Sequence, residues 1–155
     1  MEVLIRNAQR KIKLDTTGIK SRTITVLKAL ELEKTELSIL ITNDAKIREL
    51  NYNYREQDKA TDVLSFPQGE EAIDEEGIRL LGDVVLSAET AKRQAKEHHL
   101  TLDQELMLLT IHGVLHLLGY DHELSQKDAT IMKKKTKTLF QKLFPGVLPS
   151  GTSNF

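Results

Sequence analysis

The 155-residue chain has no cysteine, so disulfides and thiolate metal ligands are both excluded. That fits a reducing cytosol. No stretch approaches the ~20 apolar residues of a membrane span. The opening MEVLIRNAQRK has too short an apolar run for a signal peptide, and its charges lie on the wrong side of that run. A soluble, cytoplasmic protein is expected. A strong charge of one sign is missing too, and the net charge of −1 excludes a uniform polyelectrolyte clamp for nucleic acid. Attraction of that kind needs a local patch. The charge is uneven: Arg6, Arg10, Lys11, Lys13, Lys20, Arg22 and Lys28 make the start basic, and Glu70–Glu76 is acidic. A solvated surface explains such runs more often than RNA does. Internal repeats and linker-rich stretches are absent as well. One domain is expected over residues 1–146, a metal-dependent hydrolase domain by the motif below, with 147–155 a loosely ordered tail. A chain of this length buries about 68–70% of its unfolded surface, enough for a core without staples.

What is present centres on LLTIHGVLHLLGYDHE, from Leu108 to Glu123, which holds three of the five histidines. His112 and His116 are four apart, so a helix sets them on one face at about 5–6 Å between Cβ atoms. Continuing that helix would turn His122 roughly 240° away from His116. The helix must therefore stop, and Gly119 stands where a left-handed stop is needed. Two ligands on a helix, a glycine turn and a third ligand returning beneath them describe a three-histidine zinc site. Three protein ligands leave a fourth position for water, the pattern of a catalytic zinc. A single histidine on an apolar helix face is more simply a hydrogen-bonded core residue; the eleven-residue spacing is what favours metal. Nickel or another divalent ion would suit the same imidazoles.

The spacing H-x-x-x-H-x-x-G-x-x-H is that of the metzincin proteases, which place a glutamate general base directly after the first histidine. Here that residue is Gly113, so the metal pattern stands without the base of peptide hydrolysis. Met107 and Met132 are expected as core fillers, and no Met-turn beneath the metal is evident.

Along the chain, Val3–Asn7 reads as a strand. A helix capped by Asp15 or Thr16 runs to about Leu32 with Ile19, Ile24, Leu27 and Leu30 inward. A buried strand follows at Leu37–Ile41, and Asn43 caps a helix from Asp44 to about Tyr54. Thr61–Phe66 reads as a strand closed by Pro67, Gln68–Ile78 as a loop or hairpin arm, and Gly82–Leu86 as a strand. Ser87 with Thr90 opens a helix to about His98, where His98 and His99 are expected as surface or cap residues. Thr101 starts the most apolar helix, and Ser125 caps a last one to about Phe144. The order predicts an α+β domain: one mixed sheet packed on a central helix that carries the histidine motif, with the metal at its C-terminal end beside an edge strand. Metzincin-like folds are built this way, by analogy.

Asn51, Arg55, Asp58, Thr61, Asp62, Ser65 and Phe66 form a polar cluster before and within a short strand, as a site wall would. Arg55 offers a fork that matches phosphate oxygens; a salt bridge to Asp58, Asp62 or Asp83 is the plainer alternative. Asp62 and Asp83 are read as structural, bonding backbone or orienting a histidine ligand. Asp121 orients a ligand, assists as a base or, most simply, caps the turn; Tyr120 packs over the site or donates a bond.

The string HGVLHLLGYDH, the pair Asn51 and Arg55, TDVLSFP from Thr61 to Pro67, and Gly82-Asp83 together resemble the YbeY family of bacterial single-strand-specific endoribonucleases. Ala60 stands where family members often have proline. The resemblance is tightest from Leu50 to His122. It implies a zinc-dependent endoribonuclease, one zinc per chain, acting in maturation of the 16S ribosomal RNA 3′ end and in ribosome quality control. Partners would be single-stranded and ribosomal RNA, ribosomal particles and their associated proteins, with no membrane and no DNA. His112, His116 and His122 would hold metal, Arg55 and His116 would be catalytic, Arg55 and Ser65 would bind substrate, and Asp121 and Asp62 would support the histidines. The identity of the nucleophile stays open between water and the ribose 2′-OH. Two other readings remain: a zinc peptidase-like hydrolase, opposed by the missing glutamate, and a non-catalytic ribosome assembly factor with a structural zinc.

Overall fold

The computed structural model describes residues 1–69, 71–121 and 125–150. Its elements follow the order β1 (Glu2–Asn7), α1 (Thr16–Ala29), β2 (Thr35–Thr42), α2 (Asp44–Arg55), β3 (Val63–Pro67), β4 (Arg79–Ser87), α3 (Ala88–His98), α4 (Leu102–Leu117) and α5 (Gln126–Leu143). Each of the five helices starts at a side-chain cap. Asp15, Asn43, Ser87, Thr101 and Ser125 accept from the backbone N–H three residues on, and Thr101 forms a reciprocal capping box with Gln104. Such caps contribute about 0.5–2 kcal/mol apiece.

The sheet is mixed, in the order β1-β2-β4-β3. β1 and β4 both run parallel to β2, and β3 pairs antiparallel to β4 as an edge strand. Pro67 is tolerated there because an edge strand has one unpaired side. Strand alternation sorts the sheet into two faces. Val3, Leu37, Ile39, Ile41, Val84 and Leu86 join α1 and α4 in the main core. Leu64 and Val85 turn the other way and meet Ile47 of α2 in a smaller cluster with Leu40, Leu50 and Phe66.

α4 is apolar around most of its circumference, so it can only be stable when enclosed. It lies between the sheet and helices α1, α3 and α5, with Leu106, Met107, Ile111, Val114 and Leu115 fully buried. The expected α+β architecture, with one mixed sheet on a central helix, is what forms. Among the described residues, no helix is long and apolar enough to cross a membrane.

Two local expectations need correction. β3 begins at Val63 and not at Thr61, because the Asp62 carboxylate takes the Val63 N–H at 2.8 Å and ends the strand there. His98 is not a surface residue. It is 8% exposed, and its Nδ1 lies 2.7 Å from Oε1 of Glu105, whose side chain is fully enclosed. His99 is the exposed left-handed cap of α3, as the sequence suggested. The chain beyond α5 returns to this corner: Ser150 N–H donates to the His98 carbonyl at 2.9 Å.

Candidate functional site

The last two turns of α4 carry His112 and His116, both half-buried. The helix stops where the sequence asked it to. Gly119 adopts φ +96, its N–H donates to the His116 carbonyl, and Tyr120 N–H donates to the Leu115 carbonyl, each at 3.0 Å. These two bonds are a Schellman motif, which satisfies the orphan carbonyls of the final turn. Tyr120 packs against the main core and Asp121 follows. His122 lies outside the described residues, so the third ligand of the expected triad is untested. Among the described residues, no three His, Asp or Glu side chains converge on a point that could hold a metal ion.

Gly113, the position that lacks the zincin glutamate, is filled by a tertiary contact. A Cβ there would lie 2.7 Å from Cγ1 and 2.9 Å from Cγ2 of Val84 on β4. The Ser65 hydroxyl on β3 donates to the Gly113 carbonyl at 3.0 Å. α4 therefore meets the sheet backbone-close at this residue, and no side chain fits between them.

Arg55 arrives from the other direction, at the end of α2. Glu56 caps that helix in the left-handed conformation, with φ 56. The buried Asn51 then clamps the following loop, its amide donating to the Lys59 carbonyl at 3.0 Å. The loop carries the chain round edge strand β3 to Thr61 and Asp62. None of the three expected acids pairs with Arg55. Asp58 is held by Arg48 through two bonds of 2.7 and 3.2 Å. Asp62 Oδ1 accepts from Val63 N–H and the Thr61 hydroxyl. Asp83 follows the β4 register that faces α2, on the opposite side of the sheet from the histidines. The Arg55 side chain makes no ion pair or hydrogen bond with any other described residue.

These elements enclose a cleft of about 870 Å³. His112, His116 and Asp121 line it from α4 and its turn, and Arg55, Thr61, Asp62 and Ser65 from the α2–β3 side. Gln126, Thr130 and Lys133 of α5 line it as well. The structure thus joins His112, His116, Arg55, Ser65, Asp62 and Asp121 in one place. Asn51 is a scaffold residue behind the wall, Asp58 belongs to a surface pair, and Asp83 stays outside. The α5 wall is not among the residues that the sequence points to, which mark only a last helix capped by Ser125. Its signal was the 126–130–133 spacing beside the apolar stripe of Met132, Thr136, Leu139 and Phe140.

One buried acid underlies the Asp62 corner. Burial pushes the Glu105 carboxyl above its ordinary 4.5, His98 pulls it down by hydrogen bond and charge, and Asp62 and Glu97 push it further up.

The Endoribonuclease YbeY family model matches residues 4–144 of the chain. The Endoribonuclease YbeY of Aquifex aeolicus is 50% identical over 121 residues, covering 78% of this chain and 77% of that protein. The Endoribonuclease YbeY of a Sulfurihydrogenibium species is 49% identical over 141 residues, 91% of each. Among solved structures, the solution structure of a Thermotoga maritima protein superposes with a TM-score of 0.64 at 28% identity, covering 92% of this chain and 89% of that one.

Proposed function

This chain belongs to the YbeY family of endoribonucleases, and on that premise we propose that its cleft cuts single-stranded RNA with a zinc ion held by His112, His116 and His122. The observation that carries the reading is that Arg55 and the two histidines of α4, 57 residues apart in sequence at their nearest, line one cleft. The donor chemistry fits the metal: two imidazoles sit one helical turn apart on the cleft side of α4, in a chain without thiolates. Zinc supplies Lewis acidity there, drawing charge from a phosphoryl oxygen and easing the ionisation of water.

The chain's own residues do the remainder. Arg55 lies without a counter-ion among the described residues, and its guanidinium is the group that meets the scissile phosphate. Its planar fork holds two phosphate oxygens and stabilises the charge that grows on them. The Ser65 hydroxyl spends its proton on the Gly113 carbonyl. Its lone pairs remain to accept from a ribose hydroxyl. Asp121, after the α4 turn, and Asp62, before β3, support the histidines and the β3 wall.

The packing at Gly113 disfavours the peptidase reading, because a glutamate in that position collides with Val84. The arrangement is metzincin-like in its helix and turn while the base of peptide hydrolysis is sterically excluded. The substrate in the cell is ribosomal RNA, at the 3′ end of the 16S species, with a role in ribosome quality control. Ribosomal particles and associated proteins are its partners in the cytoplasm. The family resemblance supports this part.

The test is cleavage of a defined single-stranded RNA by wild type, His116→Ala and Arg55→Ala, under chelation and after zinc is returned. Wild type should lose activity on chelation and regain it with zinc. His116→Ala should lose metal and activity together, and Arg55→Ala should keep metal while kcat falls about 10²–10³-fold, the usual range for a removed charge-stabilising donor. Full cleavage and full metal content in His116→Ala overturns the proposal. A 2′,3′-cyclic phosphate on the product identifies the 2′-OH as nucleophile; a hydrolytic end identifies water.

A further inference from the structure

We propose that α5 supplies a second phosphate-binding position in the cleft, built on Lys133, which holds the RNA backbone beside the phosphate that Arg55 engages. This inference rests on the endoribonuclease reading above and adds a residue to it.

Burial fixes how α5 is turned. Met132, Thr136, Leu139 and Phe140 are buried against the core, so the helix cannot rotate about its axis. With that stripe inward, Gln126, Thr130 and Lys133 fall within about 60° of one another at 100° per residue. All three line the cleft, and Lys133 is the cation among them. It shares the cleft with Arg55 and, like Arg55, makes no ion pair with any other described residue.

The charge is also concentrated here. α5 contains six lysines (127, 133, 134, 135, 137 and 142) and one aspartate in a chain whose net charge is −1. Of the six, Lys133 lines the cleft; Lys137 follows one turn on along the same face, and the other four spread over the outer surface. The cleft carboxylates, Asp62 and Asp121, come from the segment before β3 and the turn after α4, not from α5. A strand entering between α2 and α5 thus meets a cation on each wall. Lys133 is a flexible point charge, suited to tracking a backbone phosphate, whereas the fork of Arg55 is suited to orienting one. Gln126 and Thr130 add uncharged donors on the same wall, which serve ribose and phosphate oxygens without sequence preference.

The experiment compares Lys133→Gln with Lys135→Gln. Lys135 is on the same helix with the same charge, about 200° round it from Lys133. Binding of a fluorescent single-stranded oligoribonucleotide is followed by anisotropy under chelation, which prevents cleavage, across a range of salt concentrations. Lys133→Gln should weaken binding about three- to tenfold and reduce the slope of log K against log salt by about 0.7, the value for one lost phosphate contact on a single strand. KM should rise with kcat nearly unchanged, unlike Arg55→Ala. Lys135→Gln should match wild type in all of these. If the two lysine variants are indistinguishable while wild type binds and cuts RNA, the α5 wall is only a solvated surface and this inference falls while the nuclease reading stands. If wild type neither binds nor cuts the RNA, both fall.

Discussion

Replacing Gly113 by alanine tests whether the contact between α4 and β4 is as close as it looks. Helix propensity alone makes this substitution stabilising, by about 1 kcal/mol for a glycine in a helix interior. The structure opposes it. The added Cβ would stand 2.7 and 2.9 Å from the two methyls of Val84, which is fully buried. Carbon atoms prefer about 3.5–4.0 Å, so the helix must move away by nearly 1 Å or Val84 must leave its rotamer. Overpacking of this kind costs about 1–3 kcal/mol. The net expectation is a loss of about 1 kcal/mol, read as a lower midpoint of urea unfolding at unchanged slope. Val84→Ala alone should cost about 2 kcal/mol for its lost methyl contacts. The double variant removes the collision, so it should be more stable than the sum of the two losses by about 1–3 kcal/mol. If Gly113→Ala raises stability by the full propensity gain and couples to Val84→Ala by less than about 0.3 kcal/mol, the seam is loose. The steric account of the missing glutamate is then wrong.

The buried corner of α3 and α4 makes a pH prediction. Glu105 has its folded carboxyl above the ordinary 4.5. The folded state therefore binds more protons than the unfolded chain in the range above that value, and stability should fall as pH rises through it. Glu105→Gln should flatten this part of the stability curve. His98→Ala, which leaves the carboxylate buried without its partner, should cost about 3–5 kcal/mol at neutral pH and less near pH 4.5, measured by denaturant melts at both. Asp44 has the opposite sign. Burial resists its ionisation, but hydrogen bonds from Ser87 and Thr90 at 2.6 Å and Arg93 at 2.9 Å outweigh that and hold its carboxyl below 3.8. Its stabilisation should be fully present above pH 3.8 and lost as pH falls through the lowered value, so Asp44→Asn should lose about 1–2 kcal/mol at pH 7 and less in acid. Asn51→Ala frees the loop that follows Arg55. It should cost about 1–2 kcal/mol and lower kcat on single-stranded RNA without removing metal, checked by melts, metal analysis and kinetics on one preparation.

Signals that act within one turn of chain could be read directly. Asp15, Asn43, Ser87, Thr101 and Ser125 cap their helices because a cap needs only its own side chain and the N–H three residues on. Gly119 stops α4 for the same kind of reason, and the period of α4 declared it buried. What pairs across the chain was not legible. Nothing local says that β4 inserts between β2 and β3, or that α2 takes the opposite face of the sheet from α4. His98, at the end of α3, looked like a surface residue because its partner, Glu105, lies beyond a turn and belongs to a different helix.

The site divides along the same line, and Gly113 shows why the division matters for chemistry. From spacing, His112 and His116 are neighbours on a helix face whatever the rest of the fold does. From spacing, too, Gly113 is a gap where related motifs hold a base, and a gap suggests something lost. The tertiary contact reverses that sense: Val84 and Ser65 occupy the space from the sheet side, so any side chain after the first histidine must displace Val84 or the helix. A helix pressed this closely to β3 and β4 brings its histidines up against the edge strand, and that strand is the one Arg55 reaches around from α2. Moving the helix out far enough to admit a glutamate would widen the distance between the imidazoles and the guanidinium. The same contact that crowds the position of the peptidase base keeps α4 against the edge strand, in the cleft that Arg55 also lines, and the proposed nuclease reading rests on that shared cleft.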